Sequence, residues 1–129
     1  MCIRDSRHPE RFAIFVGDIV DRGPRIREAL HIVKDMMDAN SGICLMGNHE
    51  YNAIGYTTPI EQDGDEVYLR AHNSRHNRLI AETLEQFAGH PEEWRCFLEW
   101  FKTLPLFLEM PGFRAVSYTH LTLPTIYSV

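Results

Sequence analysis

The first third of the chain alternates short apolar runs with polar, glycine-containing stretches. Residues 12–16 (FAIFV) and 43–46 (ICLM) are uninterrupted apolar runs, and they end at Gly17 and Gly47. Runs of this length bounded by glycine are typical of buried strands. We therefore predict a strand in each run and a loop in each polar stretch that follows.

The residues between these two strands predict a helix. Pro24 suits a first helical turn because its missing N–H is not needed there, and apolar residues recur at helical spacing over residues 26–37. We expect this helix to stop near residues 40–42 and another to run over residues 48–55. A strand, a helix and a strand in this order predict a βαβ unit with parallel strands and a right-handed crossover.

The second half of the chain predicts a long loop followed by helices and a hairpin. Residues 57–75 are polar and contain Pro59 and Gly64, so we interpret them as an irregular surface excursion. The apolar spacing after it predicts two helices and two hairpin strands: 76–87, 92–102, 104–110 and 113–116. The whole pattern favours an α/β fold without internal repeats.

The composition excludes some classes of function but says little about the fold. The chain has 129 residues, of which 44% are apolar and 24% charged, as in an ordinary globular domain. Its net charge of −5 argues against binding to DNA or to anionic membranes through bulk charge. Without a signal-peptide core or a cysteine pattern, we expect a cytoplasmic protein with free thiols.

Polar clusters follow both predicted strands. Six of their side chains are suited to chemistry: Asp18, Asp21, Arg22, Asn48, His49 and Glu50. Because the carboxyl ends of parallel strands meet at one edge of a sheet, we expect the two clusters to be neighbours in space. Carboxylate, amide and imidazole groups suit divalent metals, and an arginine fork pairs with two phosphate oxygens. This combination favours phosphate-ester hydrolysis.

Each residue also has an ordinary structural interpretation. Asp18 and Asp21 could be loop acids, and Arg22 a solvated charge. Asn48 could cap the following helix, with Glu50 in its first turn. Two complete clusters after two strands are harder to explain in this way than any single residue.

The sequences GDIVDRG at residues 17–23 and GNHE at residues 47–50 resemble two signature motifs of the calcineurin-like metallophosphoesterases. They match best the phosphoprotein-phosphatase branch, whose bacterial members include serine/threonine phosphatases and diadenosine-tetraphosphate hydrolases. The resemblance covers about residues 12–51. It implies an αββα sandwich, of which this chain would hold a part with the βαβ core.

The resemblance implies a two-metal site. Asp18 would bridge two divalent ions, and Asn48 would bind the second through its side-chain carbonyl. Glu50 would not bind the ions itself but would orient the residues that do. Mn2+ is the preferred ion, and iron, zinc, nickel or magnesium would also be compatible.

The resemblance also implies catalytic roles. His49 would donate a proton to the leaving group, and Asp21 would orient His49. Arg22 would bind the substrate phosphate, together with Asn48 and His49.

The chain departs from the family pattern at both ends. No DxH motif precedes the first strand, and Ser117 stands where a later histidine is expected, with His120 three positions further on. Residues 1–6 and 116–129 resemble translated sequencing-adapter tails. We therefore expect residues 7–115 to be a partial catalytic domain, truncated at both ends, and this 129-residue chain to be weak or inactive by itself.

Several functional alternatives stay open on the sequence. The substrate would be a phosphorylated protein or a nucleotide such as a dinucleoside polyphosphate, and neither DNA nor a membrane is an expected partner. The oligomeric state is not determined. Arg70, His72, Arg75 and Arg78 could form a basic substrate rim or an ordinary solvated surface. The alternative to an enzyme is a non-catalytic scaffold that keeps the phosphoesterase fold for partner binding.

Overall fold

The computed structural model describes residues 11–116, and these form six strands and four helices. In chain order the elements are β1 (Ala13–Phe15), α1 (Ile26–Asp38), β2 (Gly42–Cys44), α2 (Asn48–Thr57), β3 (Pro59–Gln62), β4 (Asp65–Tyr68), α3 (Ser74–Gln86), α4 (Pro91–Phe101), β5 (Phe107–Met110) and β6 (Phe113–Val116). The mixed α/β architecture is as predicted. The expectations for residues 1–6, Ser117 and His120 lie outside the described residues.

The predicted βαβ unit is confirmed. β1 and β2 pair in parallel, with Ile14 opposite Ile43. Between them α1 buries the apolar side chains of Ile26, Leu30 and Val33. The helix ends where it was expected to end, and its last turn is followed by residue 40 in a left-handed conformation with φ 57°.

The core lies between the βαβ unit and the later helices. Its buried apolar residues come from every helix, from β2 and from the loops: Val20, Ile26, Leu30, Val33, Cys44, Ala53, Ile80, Phe87, Phe97, Phe101 and Leu104. Aromatic side chains of α4 are part of this core, since Phe97 and Phe101 are buried and Trp94 packs against them. The loops after β1 and β2 therefore pack against this core.

The prediction of an irregular loop over residues 57–75 was wrong. β3 and β4 form an antiparallel hairpin there, in which Gln62 pairs with Asp65. The two residues of its turn, Asp63 and Gly64, have φ of 53° and 85°. Such positive values at both positions are what a two-residue hairpin turn requires, and Asp-Gly is the sequence that adopts them most readily.

Two predicted element boundaries move for local reasons. α3 begins at Ser74 because the side chain of Asn73 accepts a hydrogen bond from the third residue of the helix. β5 begins at Phe107, since the preceding stretch pairs elsewhere: the carbonyl of Pro105 accepts a hydrogen bond from the N–H of Met46 at 2.8 Å. None of the helices within residues 11–116 combines the length and the apolar character that crossing a bilayer demands.

An ionic cluster joins α1 to α4. The Glu93 carboxylate accepts three hydrogen bonds from the Arg27 guanidinium at 2.9–3.0 Å and also contacts the ring of His31. The Arg27 hydrogen bonds lower the pKa of Glu93 below its ordinary value of 4.5, and His31 adds to this effect. The cluster is partly exposed, with 39% of the Arg27 side chain accessible, so solvent screens it.

Removing the Glu93 charge should destabilise the fold in a pH-dependent way. We expect Glu93→Gln to lower the free energy of unfolding at pH 7 by about 1 kcal/mol, the upper range for a partly exposed ion pair. Because the pKa of Glu93 is lower in the folded state, its contribution is complete above pH 4.5 and disappears as the pH falls through the folded-state value. Urea unfolding at several pH values measures the difference.

The matched control is Glu92→Gln on the same helix turn, where the partner Arg95 is mostly exposed. Glu92→Gln should lower the free energy of unfolding by less than Glu93→Gln does at every pH. A Glu93→Gln penalty that is the same at pH 7 and at pH 3 would contradict the ionic interpretation.

Candidate functional site

The loops after β1 and β2 meet at one edge of the sheet, as predicted. Their backbones are so close that a Cβ on Gly17 would lie 2.4 Å from the Gly47 nitrogen. A Cβ on Gly47 would in turn lie 2.3 Å from Oδ1 of Asp18. Contacts this short exclude any side chain, so both glycines are required for the two loops to touch.

The buried side chain of Glu50 joins the two loops. Its Oε1 accepts hydrogen bonds from the N–H groups of Asp18 (2.7 Å) and Gly47 (2.9 Å), and its Oε2 accepts from Ile19 (2.7 Å) and Val20 (3.4 Å). The residue is 0% exposed. Burial raises the pKa of the Glu50 carboxyl, while the backbone donors act in the opposite direction. Its role is therefore to hold backbone, which is more specific than the supporting role that was expected.

The start of α2 follows from the same contacts. Gly47 is the residue before the first helical turn, and Glu50 is the third residue in the helix, where its carboxylate accepts from the Gly47 N–H. The interpretation of Asn48 as a helix cap was wrong, because Asn48 is the first helical residue. Its side chain is thus not used for capping.

Two acids of the first loop have unusual backbone conformations. Asp18 has φ 60° and Asp21 has φ 79°, in the left-handed region that non-glycine residues seldom adopt. Side chains from elsewhere hold both residues: Glu50 bonds to the N–H of Asp18, and Thr83 bonds to the N–H of Asp21 at 2.8 Å. Strained residues kept in place in this way concentrate at functional sites.

Asp21 and His49 form the pair that the sequence suggested. Nδ1 of His49 lies 2.9 Å from Oδ2 of Asp21. The Asp21 side chain is 5% exposed and that of His49 is 32% exposed, so the acid is buried and the imidazole reaches the surface. With Nδ1 held by the carboxylate, Nε2 is the nitrogen available to a substrate.

Thr83 completes this arrangement and was missed in the sequence. Its hydroxyl donates to Oδ1 of Asp21 at 2.8 Å, and the residue is completely buried. It lies 62 positions from Asp21, on α3. A polar residue on the apolar stripe of this helix, between Ile80 and Phe87, was the only signal in the sequence that could have indicated it.

The metal-ligand candidates lie beside the acid–base pair. Oδ1 of Asp18 accepts a hydrogen bond from the His49 N–H at 3.2 Å, which places Asp18 at the start of α2 next to Asn48. Within residues 11–116, the Asn48 amide and the Arg22 guanidinium form no side-chain hydrogen bond. Arg22 is exposed and Asn48 is half-buried. As far as residues 11–116 are concerned, both side chains thus keep free hydrogen-bonding groups.

The donor set fits part of a metal site. Asp18 and Asn48 offer a carboxylate and an amide oxygen, which hard and borderline divalent cations accept. In the part of the chain that the structure describes, no three His, Cys, Asp or Glu side chains are grouped to hold a metal ion. Within the described residues, Asp18 and Asn48 are therefore an open pair of oxygen donors rather than a closed set of ligands.

Cys44 lies below the site but takes no part in it. The residue is 0% exposed, and its thiol donates to the neighbouring carbonyl of Leu45. Burial, with a smaller contribution from the charge of Glu50, raises the pKa of the Cys44 thiol to about 12. The group stays protonated at neutral pH and is unsuited to binding a metal as a thiolate.

His72, one of four residues proposed for a basic rim, is engaged in packing. Its ring stacks between Tyr56 and Tyr68, with centroid distances of 3.8 and 4.1 Å. Its Nε2 lies 2.7 Å from the carbonyl oxygen of Tyr56. This histidine therefore joins the β3–β4 hairpin to α2.

Comparison with known proteins gave one positive result. A family model described as calcineurin-like phosphoesterase matches residues 2–127. Neither the curated proteins nor the solved structures contain a match to this chain.

Replacing the Glu50 carboxylate should disorganise both loops. We expect Glu50→Gln to lower the free energy of unfolding by about 1–3 kcal/mol, because an amide N–H2 would face backbone N–H groups that need an acceptor. Urea unfolding measures the loss, and amide NMR shifts of residues 18–20 report the loop. The exposed Glu85→Gln on α3 is the control and should change neither. A Glu50→Gln protein with unchanged stability and unchanged amide shifts would contradict this role.

Proposed function

This chain belongs to the calcineurin-like phosphoesterase family, and from that premise we propose that it hydrolyses phosphate esters at the loops after β1 and β2, with the help of divalent metal ions. The observation that carries the proposal is the buried Asp21 carboxylate 2.9 Å from Nδ1 of His49, directly beside Asp18. An oriented imidazole next to metal-binding oxygens is the equipment that such a reaction needs.

His49 is the proton donor in this proposal. The Asp21 carboxylate stabilises the positive charge of the protonated imidazole and fixes the ring through Nδ1. Nε2–H is then directed toward the solvent-accessible side, where it protonates the leaving oxygen of the ester. A positioned acid of this kind accelerates a reaction by about 10²–10⁴-fold.

Arg22 binds the phosphate in this proposal. It follows Asp21 in the chain and is exposed, so its guanidinium can reach a substrate without leaving a hydrogen bond within residues 11–116. A planar guanidinium pairs with two phosphate oxygens and offsets the charge that develops on them.

Asp18 and Asn48 are the proposed metal ligands. Divalent ions bound there would supply an activated water as the nucleophile. We prefer Mn2+ for this oxygen-rich pair, and iron, zinc, nickel and magnesium are compatible with it. Within residues 11–116, Asp18 and Asn48 are the metal ligands that this proposal names.

The finer assignment is to the phosphoprotein-phosphatase branch, in a bacterial cytoplasm. The motifs GDIVDRG and GNHE support it. The substrate is then a phosphorylated protein or a dinucleoside polyphosphate. Release of ADP from diadenosine tetraphosphate would identify the nucleotide hydrolase, and preference for a phosphoserine peptide would identify the protein phosphatase.

Metal binding can be located without any turnover. We expect Mn2+ added to the chain to broaden the NMR amide signals of residues 18 and 48 before others, because paramagnetic relaxation falls steeply with distance. Asp18→Asn should reduce this broadening at equal Mn2+, while Asp63→Asn, in the β3–β4 turn, should leave it unchanged. Broadening that is spread evenly over exposed acids would oppose the metal site and favour the alternative of a non-catalytic scaffold.

Removing the proposed acid should affect poor leaving groups most. We expect His49→Asn to slow hydrolysis of a phosphoserine peptide by about 10²–10⁴-fold, and of 4-nitrophenyl phosphate much less, because nitrophenolate leaves without a proton. Rates with excess Mn2+ measure both substrates, at protein concentrations high enough to detect the weak activity expected of this chain. The exposed His90→Asn is the control and should change neither rate. Equal losses on both substrates would refute the role of His49 as acid.

A further inference from the structure

One face of α3 contacts the first loop through side chains only. Glu82 accepts a hydrogen bond from the N–H of Gly23 at 3.0 Å. Gln86 accepts from the N–H of Ile26 at 2.6 Å and donates to the carbonyl of Gly23 at 2.8 Å. Between these two contacts lies Thr83, which binds Asp21. Three side chains of one helix face thus hold residues 21–26, including the start of α1.

The hydroxyl of Thr83 makes two hydrogen bonds to the same residue. It accepts from the N–H of Asp21 and donates to Oδ1 of Asp21, both at 2.8 Å. A hydroxyl has a single proton, so this geometry directs that proton to the carboxylate. Oδ2 of Asp21 is left for Nδ1 of His49.

This use of a threonine differs from that of Thr57, the other threonine in the helices within residues 11–116. The Thr57 hydroxyl bonds to the carbonyls of Ala53 and Ile54 in its own helix. Such local bonds satisfy a hydroxyl without involving any other element. Thr83 is fully buried and could be satisfied in the same way, but its hydroxyl instead crosses to another element and contacts the acid of the reaction site.

We propose that Thr83 is a positioning residue, whose buried hydroxyl fixes the Asp21 carboxylate so that Asp21 holds His49 with Nδ1 protonated and Nε2 free. The inference rests on the proposed function for the chemical role of His49, but not for the geometry. Without the hydroxyl, both the N–H and Oδ1 of Asp21 lose a partner in a buried setting, and the carboxylate is free to rotate away from Nδ1. The chain of hydrogen bonds from Thr83 through Asp21 to His49 then breaks.

The test observes His49 directly in the metal-free chain. At a pH where imidazole is neutral, ring 15N shifts distinguish the tautomer protonated at Nδ1 from the one protonated at Nε2. We expect the wild-type chain and Thr83→Ser to give the Nδ1–H tautomer. Thr83→Val should shift His49 toward the Nε2–H tautomer, which unconstrained histidine prefers. The control is Thr57→Val, which loses a local hydroxyl on α2 and should keep the wild-type ring shifts.

The outcomes separate positioning from general stability. A folded Thr83→Val chain with wild-type ring shifts overturns the proposal. If Thr83→Val does not fold, Thr83→Ser decides, since it keeps the hydroxyl and removes only a methyl: wild-type shifts support the proposal and altered shifts overturn it. Where hydrolysis is measurable, Thr83→Val should lower kcat about tenfold with little change in KM, the effect of one hydrogen bond in the transition state.

The ring-shift experiment can also be distinguished from a failure of the proposed function. Ring shifts need neither substrate nor metal, so they can establish the position of His49 even if the His49→Asn rates exclude proton donation. A folded Thr83→Val chain with wild-type ring shifts, by contrast, overturns the positioning inference and leaves the proposed role of His49 standing.

Discussion

The buried carboxylate of Glu50 is the interaction on which the site depends. It accepts backbone hydrogen bonds from residues 18, 19 and 20 on one side and from Gly47 on the other. Those N–H groups have no partner in the parallel ladder, since β1 and β2 end before them. Four donors converging on one acid offset part of the cost of burying its charge, although burial still raises the pKa of the carboxyl above its ordinary value. The two loops are consequently one rigid unit, joined to the first turn of α2.

Rigidity is needed because the loop between β1 and α1 has an unfavourable backbone. Asp18 and Asp21 both have positive φ, at a cost of about 1–3 kcal/mol each in general. Contacts from two helices offset this strain: Glu50 on α2 holds Asp18, and Thr83 on α3 holds Asp21. The βαβ unit therefore brings the functional side chains to one edge, but the helices packed on it determine where those side chains lie.

This division explains how much could be predicted from the sequence. Local patterns found both strands of the βαβ unit, all four helices and the last hairpin, and the paired motifs pointed to Asp21 and His49, which lie in contact. The β3–β4 hairpin was missed although Asp63-Gly64 carries its turn signal, because its short strands are exposed at nearly every position and so lack the apolar pattern of a buried strand. The roles of Glu50 and Thr83 rest on partners about 30 and 62 positions away. The apolar spacing of α3 predicts that Thr83 faces inward, but it does not predict which residue Thr83 contacts.

The candidate site has two parts, the Asp21–His49 pair and the proposed metal ligands. The described residues complete the first part but not the second. Thr83, Asp21 and His49 form an unbroken chain of hydrogen bonds with both carboxylate oxygens engaged. Asp18 and Asn48 offer ligand atoms, yet no closed group of metal ligands surrounds them within residues 11–116. The orientation of His49 is therefore a property of the fold itself and does not wait for a metal ion. In the proposed reaction, an acid that the fold already orients spends no binding energy on its own ordering, which is the advantage of a preorganised site.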